Sequence, residues 1–403
     1  MSALVVVSAD VEAVANAIAA APLVAFDLEF LSADRLVPVL CLVQVAWLPQ
    51  HVRLDAPAPE IVAATPEIAI LDPLAVDVGP VARALAAHPN VVAHAPRQDL
   101  ALLATRFDVE MPDVIDTQLM AAFAGIGDQV GFATLANDLL GLSLGKEQQW
   151  TDWSKRPLSP AQLTYADADV RHLPALYAML AGRLGHRLAW ARAESTLVAA
   201  DAVAAARVTP ETAWRQLGGL RGLDARSLAT VVELAAWRHR VAVELDRPLG
   251  PVLHEKVLLD LARHRPANAS AVRAAKGISP VARQRADDIM EAIVGARPEG
   301  APVLAAGRAP SPRAQRWSEL LLALVQLVSE RTGVAPRLLG TRSDAEEFAR
   351  TVDERGVDAA TSLPALATWR RDVIGGPWVD WLTGRLALVG DLTSPQGLGT
   401  LST

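Results

Sequence analysis

The chain has 403 residues, of which 51% are apolar and 21% charged, with a formal net charge of −7. That composition excludes a mostly disordered chain, and at about 100–200 residues per domain it predicts two to four domains. The single cysteine, Cys41, excludes an internal disulfide and a cysteine-built zinc site. No apolar run of about 18 residues is free of charge, so no membrane contact is expected. The apolar N-terminus lacks a basic start and carries Asp10 and Glu12, which makes it a poor signal peptide; the expected setting is cytoplasmic.

In chain order, residues 4–7 (LVVV) and 23–30 (LVAFDLEF) read as buried strands with a helical segment between them. Residues 39–47 (VLCLVQVAW) make another strand. The Pro-rich stretch 49–66 reads as a loop, and IAILDP (68–73) as a short strand ending at a proline. A helix over 78–88, a strand at 91–94 and a helix over 96–106 follow. This alternation predicts a sheet covered by helices. From about 117 the pattern is almost wholly helical. One long helix is expected from Ser159 to Leu184, with Ser159 as N-cap and Pro160 at its first position.

Beyond 205 two helical units are expected, about 211–292 and 311–386, joined by the Pro-, Gly- and Ala-rich segment 296–312. Charge divides the chain. Residues 1–200 hold 12 basic and 22 acidic side chains, and the remainder holds 26 and 23. An acidic half joined to a weakly basic half fits a carboxylate-built metal site joined to polyanion-binding modules.

Three segments carry the candidate chemistry. Asp27 and Glu29 stand at i and i+2 on a strand, so both project from one face. A half-buried pair of like charges is costly unless a cation neutralises it, and oxygen-only ligands suit Mg²⁺ or Mn²⁺. Asp99 lies in the first turn of the helix that follows the 91–94 strand. His94, five residues earlier, reads as a hydrogen-bonded structural histidine. Tyr165 and Asp169 stand at i and i+4 on one helix face, where a phenol beside a carboxylate can position a water. Asp167 should point elsewhere.

Four acids in this order, with a tyrosine four residues before the last, resemble the DEDD superfamily of 3′→5′ exonucleases in its tyrosine-bearing branch. The histidine branch places its base five residues before the last Asp, and Thr164 stands there. FDLEF, VVAHAPRQDLALL, VIDTQLMAAF and LGKEQQWTDWSKRPLSPAQLTYADADVRHL resemble ribonuclease D. AAWRHRVAVELDRPLGPVL with LLDLARHRP resembles an HRDC helical module, and 311–386 resembles a more divergent second one.

The resemblance implies an α/β, ribonuclease-H-like exonuclease domain with a mixed sheet over 1–205. It further implies an HRDC domain over 206–295, a linker over 296–312, and a second all-α HRDC-like domain over 313–403. It implies two divalent ions, Mg²⁺ or Mn²⁺, with Asp27 bridging both. Glu29 and Asp169 would complete the site of the attacking water, Asp99 would support the second ion, and Tyr165 would orient the water. The implied substrate is RNA with an accessible 3′ end, with transfer RNA precursors suspected, and no obligate protein partner is expected. Phe30 is a candidate base-stacking residue and Lys146 a candidate phosphate contact. The alternatives are a DNA-directed 3′→5′ exonuclease and a non-catalytic RNA-binding protein on the same fold. Gly141–Lys146 is one residue short of a P-loop and has Glu147 where Ser or Thr is needed, which excludes that reading.

Overall fold

The computed structural model describes residues 4–5, 8–145, 148, 150–220, 222–302, 310–394 and 397–402. The sheet has six strands: β1 (Leu4–Val5), β2 (Val24–Leu31), β3 (Val39–Trp47), β4 (Glu67–Leu71), β5 (Val91–Ala93) and β6 (Val114–Asp116). Their spatial order is β1-β4-β3-β2-β5-β6. β3 runs antiparallel to β2 and β4, whereas β1–β4, β2–β5 and β5–β6 pair in parallel, so the sheet is mixed. β2 and β3 are almost continuously apolar because helices cover both faces.

One face packs against α1 (Ser8–Ala20), α3 (Gly79–Ala87) and α4 (Arg97–Phe107) around Ile18, Phe26, Leu85 and Leu103. α2 (Ala58–Ala63) lies within the Pro-rich stretch expected to be a loop. It forms because Ile61 is buried on the other face, where α2 meets α8. That face also carries α5 (Thr117–Phe123), α6 (Phe132–Leu140), α7 (Pro160–Arg171) and α8 (Leu173–Leu184), while α9 (Leu188–Ala206) runs beside β6 with Ala191 in this core and Ala199 and Ala202 in the first. The single helix expected over 159–184 is therefore two. Ser159 caps α7 in a reciprocal capping box with Gln162, as its sequence suggests. The break falls at His172 because Pro174 has no N–H to continue the ladder of α7.

The two C-terminal helical regions attach differently. Helices Ala225–Leu245, Glu255–His264 and Ala286–Gly295, with shorter turns between them, enclose their own core around Leu234, Leu258, Val272 and Ile289. That core also takes up Leu36 of the sheet domain, beside an Arg35–Asp246 ion pair of 2.7 Å. Of the expected linker 296–312, residues 303–309 lie outside the described residues, whereas Ala296 is buried and Ala301 packs on the helical core.

Helices Pro312–Thr332 and Arg342–Arg355 instead share one core with α5, α6 and α8. Trp369 stacks on Trp190 at 5.3 Å and meets Phe123 edge-on at 5.0 Å. Gly125 is at φ +72°, and a Cβ there would lie 2.8 Å from the Gly333 carbonyl oxygen. This region is not all helix as expected. It closes on an antiparallel hairpin, Leu386–Gly390 with Leu398–Ser402, whose loop turns where Asp391 accepts from Thr393 N–H and where Gly397 takes φ +69°. Among the described residues no helix is long and apolar enough to cross a membrane.

Candidate active site

β2 brings Asp27 and Glu29 to the same sheet face, and α7 crosses that face with Tyr165 and Asp169 on one side. Carboxylate oxygens of Asp27, Glu29 and Asp169 lie within 4.8 Å of one another. They line a cavity of about 220 Å³ whose wall also includes Leu28, His94, Phe132, Tyr165 and Leu173. A β-bulge at Glu29/Phe30 shifts the β2–β3 register here, a device that re-aims side chains beside active sites.

Asp99 is buried in the first turn of α4 and stands outside this trio, though its charge raises Glu29 and the charge of Asp27 raises Asp99. Phe30 does not line the acid pocket. Strand alternation turns it to the other face, where it borders a separate cavity. Lys146 lies outside the described residues. Asp167 points away as expected and pairs with Arg171 at 2.6 Å.

The electrostatics are those of acids crowded together. Burial pushes Asp27 up to about 7. Burial, then the charges of Asp27, Asp169 and Asp99, push Glu29 up to about 9. Burial and Asp27 push Asp169 up to about 8, against a lowering by the Tyr165 hydroxyl, which donates to it. Asp99 is raised by burial, by Asp27 and by Asp116. Burial and the three neighbouring acids raise Tyr165, which stays protonated.

These residues fit a hard divalent cation. Three convergent carboxylates, each disfavoured as an anion first by burial, and Glu29 and Asp169 also by the charge of Asp27, are an oxygen donor set that gains by sharing positive charge.

The Arg156–Asp72 staple behind the trio has no counterpart in the sequence reading. Arg156 grips Asp72 through two hydrogen bonds of 2.6 and 2.7 Å and donates to the carbonyls of Cys41 and Trp153. This staples the 150–158 loop to the sheet and seats the buried Trp153 ring 6.0 Å from that of Tyr165. His94 is structural in its contacts. His94 Nδ1 is hydrogen-bonded to Thr117 Oγ1 at 2.9 Å, and Thr117 Oγ1 reaches the Ala93 carbonyl at 3.2 Å. Burial lowers His94 to about 4, so it is neutral. Asp116 caps α5 through Gln118 N–H and also accepts from Ala95 N–H, both at 2.8 Å.

A mixed sheet with carboxylates gathered where β2 meets α7 is the arrangement that the resemblance to 3′→5′ exonucleases implies. The 3′–5′ exonuclease family model matches residues 4–184 and the HRDC domain model residues 227–293. Ribonuclease D of Acidiphilium cryptum is 34% identical over 93% of this chain and 92% of its own, and that of Granulibacter bethesdensis 33% over 96% and 93%. The crystal structure of Escherichia coli RNase D superposes with a TM-score of 0.77 at 25% identity, over 95% of this chain and 99% of that one. The chain belongs to the ribonuclease D family, and it is a metal-dependent 3′→5′ exoribonuclease.

Proposed function

We propose that Asp27, Glu29 and Asp169 hold two divalent ions, Mg²⁺ or Mn²⁺, with Asp99 supporting the second, and that the chain releases nucleoside 5′-monophosphates from RNA 3′ ends. The observation that carries this is the convergence of three carboxylates whose oxygens lie within 4.8 Å. When bound, the ions supply a hydroxide at neutral pH and offset charge on the leaving oxygen. The protein's own part is placement. Asp27 and Glu29 are fixed by the β2 ladder, and Asp169 by a helix whose cap is locked at Ser159. Tyr165 keeps its proton and donates to Asp169, so it orients a water rather than taking its proton. Asp99 acts from behind Asp27 through charge.

The same reading divides the chain into an exonuclease domain over 1–205, an HRDC domain over 206–295 and a second helical domain over 313–403. The natural substrates are RNAs with accessible 3′ ends. The Escherichia coli relative is described as an exoribonuclease involved in structured RNA processing. That description supports action on structured RNAs; 3′ maturation of transfer RNA precursors in the cytoplasm is part of the same proposal.

A 5′-labelled RNA incubated with Mg²⁺ or Mn²⁺, and separately with chelator, tests the reading. The expected result is metal-dependent shortening one nucleotide at a time, blocked by a 3′-phosphate. Endonucleolytic products, or equal cleavage in chelator, would overturn it.

A further inference from the structure

Gln44 is the one amide in the otherwise apolar strand β3, and it is fully buried. Among the described residues neither its Nε2 nor its Oε1 meets a hydrogen-bond partner. Native interiors pair nearly all such groups, and an apolar side chain of the same shape would cost the fold less at this position. Gln162 shows the ordinary case. It is buried too, but its amide is engaged with the Ser159 N–H and with Thr151.

The strand register says what Gln44 faces. Its partner on β2, directly opposite, is Asp27, and its partner on β4 is Ile70. Opposed residues of an antiparallel pair stand about 4.5–5.5 Å apart at Cβ, within the span of a glutamine side chain. The diagonal neighbours on β2 are Ala25 and Glu29. On β4 the diagonal neighbour is the apolar Ile68, and Asp72, just past that strand, is already held by Arg156. Above the amide α7 packs across β2, β3 and β4, where Leu42, Ile70 and Ala166 share a buried apolar cluster. The side-chain acceptors that the register brings within reach of Gln44 are therefore carboxylates of the acid pocket, Asp27 first and Glu29 diagonally. Asp27 accepts from the Leu28 N–H, and a carboxylate with about four lone-pair sites has room for a further donor.

We propose that Gln44 is a positioning residue of the ion site: its Nε2–H donates to the Asp27 carboxylate when that carboxylate holds a divalent cation, and fixes the direction of its oxygens. This rests on the assignment of Asp27, Glu29 and Asp169 as ion ligands and deepens it. The β2 ladder fixes the Asp27 backbone but leaves its carboxyl free to rotate, and a donor on the neighbouring strand removes that freedom. Hydrogen bonds of this kind to a metal-bound carboxylate orient the ligand, and their loss weakens metal affinity about 10–100-fold. An amide kept in the core at a cost to the fold is thereby explained by what it does for the ion.

The test uses the full chain, with Mn²⁺ itself as the probe. Mn²⁺ binding, followed by electron paramagnetic resonance, should weaken about 10–100-fold in Gln44→Leu. In chelator the same variant should melt no lower than the parent, because a buried unpaired amide gives way to an apolar side chain of similar size. Gln44→Met, unbranched and of similar length, should behave in the same way and guards against a packing fault at the leucine branch. The side-chain amide resonances of Gln44, identified by their loss in Gln44→Met, should shift when Mg²⁺ is added to the parent. A lower melting temperature in both variants with Mn²⁺ affinity unchanged would make Gln44 a purely structural residue and overturn the proposal. Amide resonances unmoved at saturating Mg²⁺ would overturn it as well. A parent protein that binds no Mn²⁺, or binds it equally after Asp27→Asn, would overturn the ion assignment and the proposal with it. Binding that is lost in Asp27→Asn but unchanged in both Gln44 variants would overturn the positioning role alone.

Discussion

Asp27, on β2, and Asp72, just past the end of β4, are both largely withdrawn from water, yet they are held in opposite states. Burial disfavours ionisation of Asp72, but the paired hydrogen bonds from Arg156 and the Leu74 N–H overcome it and hold its carboxyl below the usual range. Among the described residues Asp27 pairs with no cation, and burial carries it up to about 7, beside Glu29 at about 9 and Asp169 at about 8. One carboxylate is satisfied by the fold. The others are left wanting positive charge, which is how a protein keeps a place for an ion. On the proposed reading, the difference separates a structural acid from those that hold the ions.

The sharpest way to break the comparison is to exchange the consequences of removing each charge. Asp27→Asn should lower RNA hydrolysis at least about 10³-fold, the scale seen when one member of a catalytic set is removed. Its melting temperature in chelator should hold or rise, because a repelling charge has gone. Single-turnover kinetics and thermal melts of the same protein check both. A large loss of stability with activity retained would reverse the assignment of the two acids.

Arg156→Ala should do the opposite. It leaves Asp72 buried and unpaired, a change that costs about 3–5 kcal/mol. Urea unfolding measures it, and Arg156→Ala with Asp72→Asn should recover part of the loss. Activity falls as well, because the 150–158 loop no longer seats Trp153 behind Tyr165.

The pH dependence of stability follows from the same contrast. Asp27, Glu29 and Asp169 have folded-state values raised from 3.8, 4.5 and 3.8, so the native state keeps protons that the unfolded chain has lost. Their contribution is complete below about 4 and disappears as pH rises toward 9. In chelator the melting temperature should therefore fall over that window. Asp72, whose value is lowered, contributes above 3.8 and loses its contribution as pH drops below that. Millimolar Mg²⁺ should flatten the alkaline decline and leave the acid one unchanged. A decline identical with and without Mg²⁺ would remove the acids from ion binding.

Much of the acid pocket was legible because it follows from two periodicities. Alternation on β2 pairs Asp27 with Glu29, and the helical repeat pairs Tyr165 with Asp169. The same alternation applied to Phe30 puts it on the face away from the acids, where the structure has it. What was not legible is long-range. The Arg156–Asp72 staple joins positions 84 residues apart, and nothing in either local pattern announces the other. The shared core of the second helical region was hidden for a related reason. An amphipathic helix declares that one face is covered but not by what, and here Trp369 finds Trp190 and Phe123. The break at His172 was legible in Pro174, and the i, i+4 pairing on α7 survives it because Tyr165 and Asp169 both precede it.

The smallest effect expected is at Tyr165, and its size distinguishes two roles. A group that removes a proton from water must itself lose one near working pH, and Tyr165 is driven the other way by burial and by Asp169, Glu29 and Asp27. Removing a general base costs about 10²–10⁴-fold, whereas removing one orienting hydroxyl from a site that keeps its carboxylates should cost less. Tyr165→Phe keeps the ring against Trp153 and deletes only the donor to Asp169. We expect a loss of roughly tenfold in kcat with KM nearly unchanged, and a small upward shift in the apparent pKa of Asp169, since the hydroxyl now lowers it. The pH–rate profile of Tyr165→Phe with saturating Mg²⁺ reads both. A loss beyond about 10³-fold with the alkaline limb abolished would make the phenol the base, and would mean that the neighbouring acids are neutralised so fully that its proton becomes labile.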